Sequence, residues 1–115
     1  MKFLQVTSNM ILKGENDKII SNINILGLKK DALDGQISAI STPFTDEEAI
    51  AANYDGENIK VTYLNENKTT IYCGKDGSLL NEKQNKNSVE IYDRYKDKTI
   101  QIVTRMVELF DNIYN

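Results

Sequence analysis

The sequence lacks several of the residue types on which common catalytic and metal sites depend. Its 115 residues include no histidine, no tryptophan, one cysteine and one proline. Without histidine the chain cannot form a Ser-His-Asp or Cys-His nucleophilic site, a histidine-ligated zinc site or a histidine pH switch. The single cysteine, Cys73, excludes an intrachain disulfide and a thiolate zinc site. We therefore expect no metal, no cofactor and no enzymatic activity.

Long apolar runs and clustered glycines are also missing. The longest unbroken apolar run is Ala49–Ala52, far below the roughly 20 residues that a membrane-spanning helix needs. The first residues have no apolar stretch followed by small residues of the kind that marks a signal peptide, so we expect a cytoplasmic protein. The six glycines are dispersed and form no phosphate-binding loop.

The length fits one domain, 1–115, with an apolar fraction of 40%. We divide it into a sheet-rich part at 1–80, a polar linker at 81–87 and a C-terminal helix at 88–115. Asparagine, isoleucine and lysine make up about a third of the chain, a bias that AT-rich codons of a bacterial or phage genome would produce.

Charge is uneven along the chain, although the net charge is only −3. The segment 42–67 carries six acidic residues against Lys60 alone, while the segments on either side of it each sum to +1. This pattern predicts an acidic face that binds a protein with a basic surface, formed by Asp46, Glu47, Glu48, Asp55 and Glu57. The alternative is that the first three acids occupy the first turn of a helix, where the helix dipole favours them.

Hydrophobic periodicity predicts an α+β fold with a mainly antiparallel sheet of five strands, and an OB-like barrel is the alternative form of that sheet. The first three strands are expected at 3–12, 18–28 and 36–40, with a turn after the first at 14–17. A capping box formed by Thr45 and Glu48 predicts a short helix over about 46–54, which the Asp55-Gly56 pair would end.

The last two strands form the clearest predicted hairpin, at 59–64 and 69–73. A three-residue loop at 65–67 pairs Ile59 with Cys73 and buries Ile71 and Cys73. A four-residue loop would bury Tyr72 instead, and the first register is favoured because it buries two apolar side chains.

The C-terminal segment gives the strongest helical pattern. Between 100 and 115 all apolar residues fall on one half of the helical wheel, and the pattern extends back to about 88, with Asn87 or Ser88 as the cap. This apolar arc is wider than the roughly 100° stripe that one packing surface requires. The excess predicts a homodimer interface made of Ile100, Val103, Val107, Phe110 and Tyr114. The alternative is a strand at 88–93 followed by a shorter helix, interrupted near 96–98, that lies fully on the sheet of a monomer.

By elimination, these patterns predict a binding or interaction protein, such as a small inhibitor, immunity or regulatory protein of a phage or mobile element. The alternative is an OB-like module that binds an oligonucleotide or nucleotide, with Tyr63 or Tyr72 stacking on bases beside Lys60 and Lys68. The sequence pI of about 4.9 weighs against this alternative because phosphate neutralisation dominates nucleic-acid affinity.

Overall fold

The computed structural model of the chain describes residues 2–7, 12–14, 40, 49–64, 68–80 and 86–114. These residues form an antiparallel sheet with two helices packed on one of its faces, which confirms the α+β class. The elements are β1 (Leu4–Thr7), β2 (Leu12–Lys13), β3 (Ala49–Tyr54), β4 (Ile59–Leu64), β5 (Lys68–Cys73), α1 (Lys86–Arg94) and α2 (Lys96–Tyr114).

The strands lie in the order β2-β1-β3-β4-β5, and β2 contributes only two residues to the sheet. Among the described strands, β2 does not pair with β5, as closure into a barrel would require. The edge strand β5 is covered at two positions. The Ser88 hydroxyl donates to the Thr70 carbonyl at 3.2 Å, and the Leu80 N–H donates to the Tyr72 carbonyl at 3.0 Å. These contacts occupy carbonyl groups that an unpaired edge would otherwise offer to another strand.

The predicted helix at 46–54 is wrong for its described part, because 49–54 is the central strand β3. Alanine favours helices in isolation, but this segment hydrogen-bonds to β1 on one side and β4 on the other. Ala49 and Ala52 are fully buried, and their small side chains let α2 pack closely across β3. The proposed cap, Thr45 with Glu48, lies outside the described residues.

The predicted strand at 3–12 is also wrong, because β1 ends at Thr7 and β2 pairs back onto it, with Val6 opposite Leu12. The spacing of Leu4, Val6, Met10 and Leu12 is compatible with one continuous strand, so the pattern alone did not reveal that Leu12 pairs back onto Val6. The predicted strand 18–28 and residues 36–39 of the next one lie outside the described part of the chain. Ile40, at the end of that next strand, is helical and fully buried.

The hairpin of β4 and β5 has the predicted register. Ile59 lies opposite Cys73, and Leu64 opposite Lys68, which leaves three residues between the strands. Cys73 is fully buried, as the register predicted, and burial raises the pKa of its thiol to about 12. At neutral pH this thiol is protonated and inert.

The C-terminal segment is helical on both sides of Tyr95, so neither a single unbroken helix nor a strand at 88–93 describes it. Hydrogen bonds from the Tyr95 N–H to the Ile91 carbonyl and from the Thr99 N–H to the Tyr95 carbonyl still connect the two helices. The first helix begins at Lys86, one to two residues before the predicted cap, and the Ser88 side chain bonds to β5 instead of capping it.

Thr99 explains how a polar residue fits on the apolar face of α2. Its hydroxyl donates to the Tyr95 carbonyl at 2.7 Å and lies 2.6 Å from the Tyr63 hydroxyl. Since the single Thr99 hydroxyl proton is directed to the carbonyl, the Tyr63 hydroxyl must be the donor in the second bond. Both residues are fully buried, so these two hydrogen bonds hold α2 against β4 and leave neither hydroxyl without a partner in the core.

We expect removal of the Thr99 hydroxyl and removal of the Tyr63 hydroxyl to have different effects on stability. Thr99→Val leaves the Tyr63 hydroxyl buried without its acceptor and should lower the free energy of unfolding by about 1–3 kcal/mol. Tyr63→Phe removes the donor and should cost about 1 kcal/mol, and the double variant should cost less than the sum of the two. Urea unfolding of the three variants measures this. Additive costs would contradict a direct Tyr63–Thr99 bond.

Candidate functional site

The two faces of the sheet differ sharply in polarity. The inner face and the helices form one apolar core, whereas the residues that alternate with the buried ones point to the opposite side, which we call the outer sheet face. In β3 a register shift between Ala49 and Ala51 interrupts this alternation, so Ala51 lies on the outer face although Ala49 faces the core. Its described residues are Gln5, Thr7, Lys13, Ala51, Asn53, Lys60, Thr62, Leu64, Lys68, Thr70 and Tyr72.

One row of this face crosses all five strands. Lys13, Gln5, Asn53, Lys60 and Tyr72 are successive partners in the sheet register. The Gln5 Nε2 donates to the Asn53 Oδ1 at 2.8 Å, and the Lys60 ammonium lies 5.6 Å from the centre of the Tyr72 ring. The row therefore combines two cations, two amides and one aromatic ring at neighbouring positions.

A second row is uncharged. Thr7, Ala51, Thr62 and Thr70 are successive partners, and the hydroxyl oxygens of Thr62 and Thr70 lie 3.3 Å apart. Beyond it, at the loop end of β4 and β5, Leu64 is 50% exposed and lies opposite the exposed Lys68. This end of the face thus offers an apolar side chain next to a cation.

The described part of the outer sheet face carries three lysines and no acidic side chain. The charge on this face is opposite in sign to the net charge of the chain, which is −3. Asp55 and Glu57 are the nearest described acids in sequence, and they lie in the turn between β3 and β4.

The predicted acidic face is represented in the structure by Asp55 and Glu57 only, both exposed. Asp46, Glu47 and Glu48 lie outside the described residues. The Asp55 carboxylate accepts the backbone N–H groups of Glu57 and Asn58, at 2.9 and 3.0 Å. Burial opposes its ionisation most strongly, but these N–H groups and Lys60 outweigh that effect and hold the pKa of Asp55 below its usual value. Asp55 thus stabilises the turn that connects the two strands.

Two of the five residues predicted for a homodimer interface belong to the chain's own core. Val103 and Phe110 are 0% and 5% exposed. Ile100 packs against the turn at Gly77, and Val107 is half-buried at the edge of the core. Tyr114 packs on Phe110, with ring centres 4.8 Å apart.

The wide apolar arc of α2 is therefore covered largely by the chain itself, on the sheet, on the turn at 74–78 and on the N-terminal segment. The Tyr114 hydroxyl, for example, donates to the Phe3 carbonyl at 2.7 Å. Because the chain's own residues cover most of this arc, its width no longer supports the prediction of a second copy. The homodimer stays a prediction, which light scattering on the pure protein would check.

The residues predicted to contact a nucleotide divide between the two faces. Tyr63 is fully buried on the inner face, and burial raises the pKa of its hydroxyl, so it cannot stack on a base. Tyr72, Lys60 and Lys68 lie together on the outer sheet face. Sequence reasoning missed Lys13, Gln5 and Asn53. Alternation alone would have placed Gln5 outward, but Lys13 joins the row only through the β1–β2 pairing.

An open depression of about 500 Å³ lies where α1 meets α2. It is lined by six consecutive residues, 93–98, which carry three basic and two acidic side chains around Tyr95. The Tyr95 ring is already stacked on Tyr63, at 5.0 Å between centres, and the Lys98 ammonium lies 5.0 Å from its centre. The depression is thus a surface feature of the helix junction with nearly balanced charge.

Within the described residues, no three or more acidic or cysteine side chains are grouped so that they could hold a metal ion. Neither described helix has an apolar stretch long enough to span a membrane. No family model, no curated protein and no solved structure matches this chain.

Proposed function

We propose that this protein is a binding module whose ligand is an anionic polymer held on the outer sheet face. The proposal includes no catalytic step. The observation that carries it is the charge of the described face, where Lys13, Lys60 and Lys68 are the charged side chains in a chain that is acidic overall, and Asp55, in the adjoining turn, is the described acid that interacts with Lys60.

The spacing of the three lysines supports a polymer over a small anion. Lys13 and Lys60 are three strand intervals apart, about 14 Å, and Lys60 and Lys68 are separated by a similar distance along the hairpin. Lys13 and Lys68, at opposite corners of the face, are about 23 Å apart by the same spacings. One phosphate or carboxylate cannot contact all three ammonium groups, whereas a chain of repeated negative charges can.

The alternative of an acidic face that binds a basic protein has less support. Three of its five residues lie outside the described part of the chain, and the Asp55 carboxylate is bonded within its own turn. Glu57 enters this turn through its backbone N–H, and its exposed carboxylate is then the one described acid left for such a face.

The dependence of binding on salt tests the proposal. Three neutralised phosphates on a flexible polymer predict a slope of roughly −2 in a plot of log affinity against log salt concentration. Affinity for linear polyphosphate should therefore fall roughly twenty-fold between 50 and 200 mM salt. Calorimetric titration at several salt concentrations measures the slope.

Lys60→Gln should make this slope shallower by about 0.7, since one contact is lost. Lys96→Gln is the matched control because Lys96 is exposed at the helix junction, away from the outer sheet face. The proposal fails if the protein does not bind polyphosphate at 50 mM salt, or if Lys96→Gln reduces the slope as much as Lys60→Gln does.

A further inference from the structure

Resting on the proposed function, we infer that the anionic polymer is a single-stranded nucleic acid and that Tyr72 is the stacking platform for one of its bases. Tyr72 is the one aromatic side chain among the described residues of the outer sheet face, and it is partly exposed. Proteins that bind single strands combine a positive surface with aromatic rings on which bases stack. The outer sheet face has both features.

The cations lie on two sides of this ring. Lys60 is the direct cross-strand partner of Tyr72, and Lys68 lies four residues earlier on the same strand, about 14 Å away. A base stacked on Tyr72 would therefore have its own or a neighbouring phosphate within reach of either lysine side chain. The Lys60 ammonium, now over the ring, is long enough to move aside and contact a phosphate instead.

Amide and hydroxyl groups lie beside the platform. Asn53 is one strand beyond Lys60 in the same row, and its bond to Gln5 leaves further donors and acceptors on both amides. Amides of this kind can bond to the edges of unpaired bases. Linear polyphosphate offers neither an edge nor a ring, so these groups would favour a nucleic acid over it.

A peptide ligand that adds a strand to the sheet is disfavoured at this edge. The carbonyl groups of Thr70 and Tyr72 already accept hydrogen bonds from Ser88 and Leu80, so strand addition at β5 would have to break both. A duplex is disfavoured for a different reason, because its bases are already stacked on each other and cannot lie on Tyr72. An unpaired base is the ligand group that this partly exposed ring fits once the Lys60 ammonium moves aside.

The experiment is a fluorescence anisotropy titration at 50 mM salt with fluorescein-labelled dT12 and U12. A blunt 12-base-pair duplex and linear polyphosphate serve as competitors. We expect at least one of the two single strands to bind more tightly than the duplex, and polyphosphate to compete more weakly than the unlabelled single strand. Tyr72→Leu should weaken single-strand binding roughly 5- to 150-fold, while Tyr72→Phe should stay within about two-fold of the original protein.

Tyrosine fluorescence supplies a second readout, because the chain has no tryptophan to mask it. Binding of unlabelled dT12 or U12 should quench part of this fluorescence, and Tyr72→Phe should bind while losing that part. Thermal unfolding of Tyr72→Leu verifies that the variant is folded before its affinity is compared.

The outcomes separate this inference from the proposed function. Equal binding of duplex and single strand, equal competition by polyphosphate, or unchanged affinity of folded Tyr72→Leu would overturn the single-strand inference while leaving a polyanion-binding face. Absence of binding to the oligonucleotides and to polyphosphate alike would overturn both.

Discussion

Replacing Phe110 by alanine is expected to lower the free energy of unfolding by about 3–5 kcal/mol, a large share of the stability of a domain of this size. Phe110 is 5% exposed and lies between Tyr54 and Tyr114, at 4.6 and 4.8 Å between ring centres. Its ring also lies under the turn between β3 and β4, since a Cβ added at Gly56 would be 3.5 Å from its Cζ. Alanine would leave a cavity lined by aromatic rings, which cannot collapse without moving the turn.

Urea unfolding followed by circular dichroism measures this loss. Two controls calibrate it. Phe110→Leu keeps most of the side-chain volume and should cost about 1–2 kcal/mol, and Val107→Ala, on the half-buried flank of the same helix, should cost less than Phe110→Ala. A cost below about 1 kcal/mol for Phe110→Ala would mean that the ring is not packed as described, and would restore it as a candidate for an interface with another chain.

The second large effect is expected at Gly77, where alanine should cost about 2–4 kcal/mol. The φ of Gly77 is +83°, in the left-handed region that residues with a side chain adopt at a cost. A Cβ there would lie 2.9 Å from the Ile100 Cγ1 and 3.1 Å from the Ile100 Cα, so the turn would have to move away from α2. That movement would also strain the bond from the Tyr92 hydroxyl to the Gly77 carbonyl, which is 2.8 Å long and buried.

The other glycines separate the two causes. Gly56 has a φ of +97° but room for a Cβ, so Gly56→Ala reports backbone strain alone, about 1–2 kcal/mol. Gly74 needs no positive φ, and its nearest neighbour is the Asp76 side chain, so Gly74→Ala should stay within about 1 kcal/mol of the original protein. If Gly77→Ala lowers the free energy of unfolding no more than Gly56→Ala does, then the close approach to Ile100 adds nothing to the cost of the substitution.

These two stability predictions concern the inner side of the sheet, whereas the proposed binding surface is on the outer side. Substitutions of Lys13, Lys60, Lys68 and Tyr72 remove side chains that are not part of the buried core, so their effects on binding can be measured on folded protein. Phe110→Ala and Gly77→Ala serve the opposite purpose, since they test the core without changing the outer sheet face.

The candidate site was partly predictable. Alternation in β4 and β5 places Lys60, Lys68 and Tyr72 on one face, and the buried partners Ile59 and Cys73 fix which face that is. Tyr63 is also a tyrosine in a strand of this hairpin, like Tyr72, yet its side chain faces the core. The favoured register buries Cys73 opposite Ile59, and alternation from Ile59 puts Tyr63 on that same inner side, so Tyr63 and Tyr72 could not both contact a ligand on one face.

The sequence by itself determined the β4–β5 hairpin, its register and the helical, amphipathic character of most of the C-terminal segment. These features depend on contacts between residues close in sequence, or on a periodicity that one element expresses alone. Only the tertiary structure decided the rest. Residues 49–54 became a strand because two neighbouring strands supply their hydrogen-bond partners, and the wide apolar arc of α2 is covered by β3, the turn at Gly77 and the N-terminal segment. The grouping of Lys13 with Lys60 and Tyr72 likewise depends on strand order, because residues far apart in sequence become neighbours only when the sheet assembles.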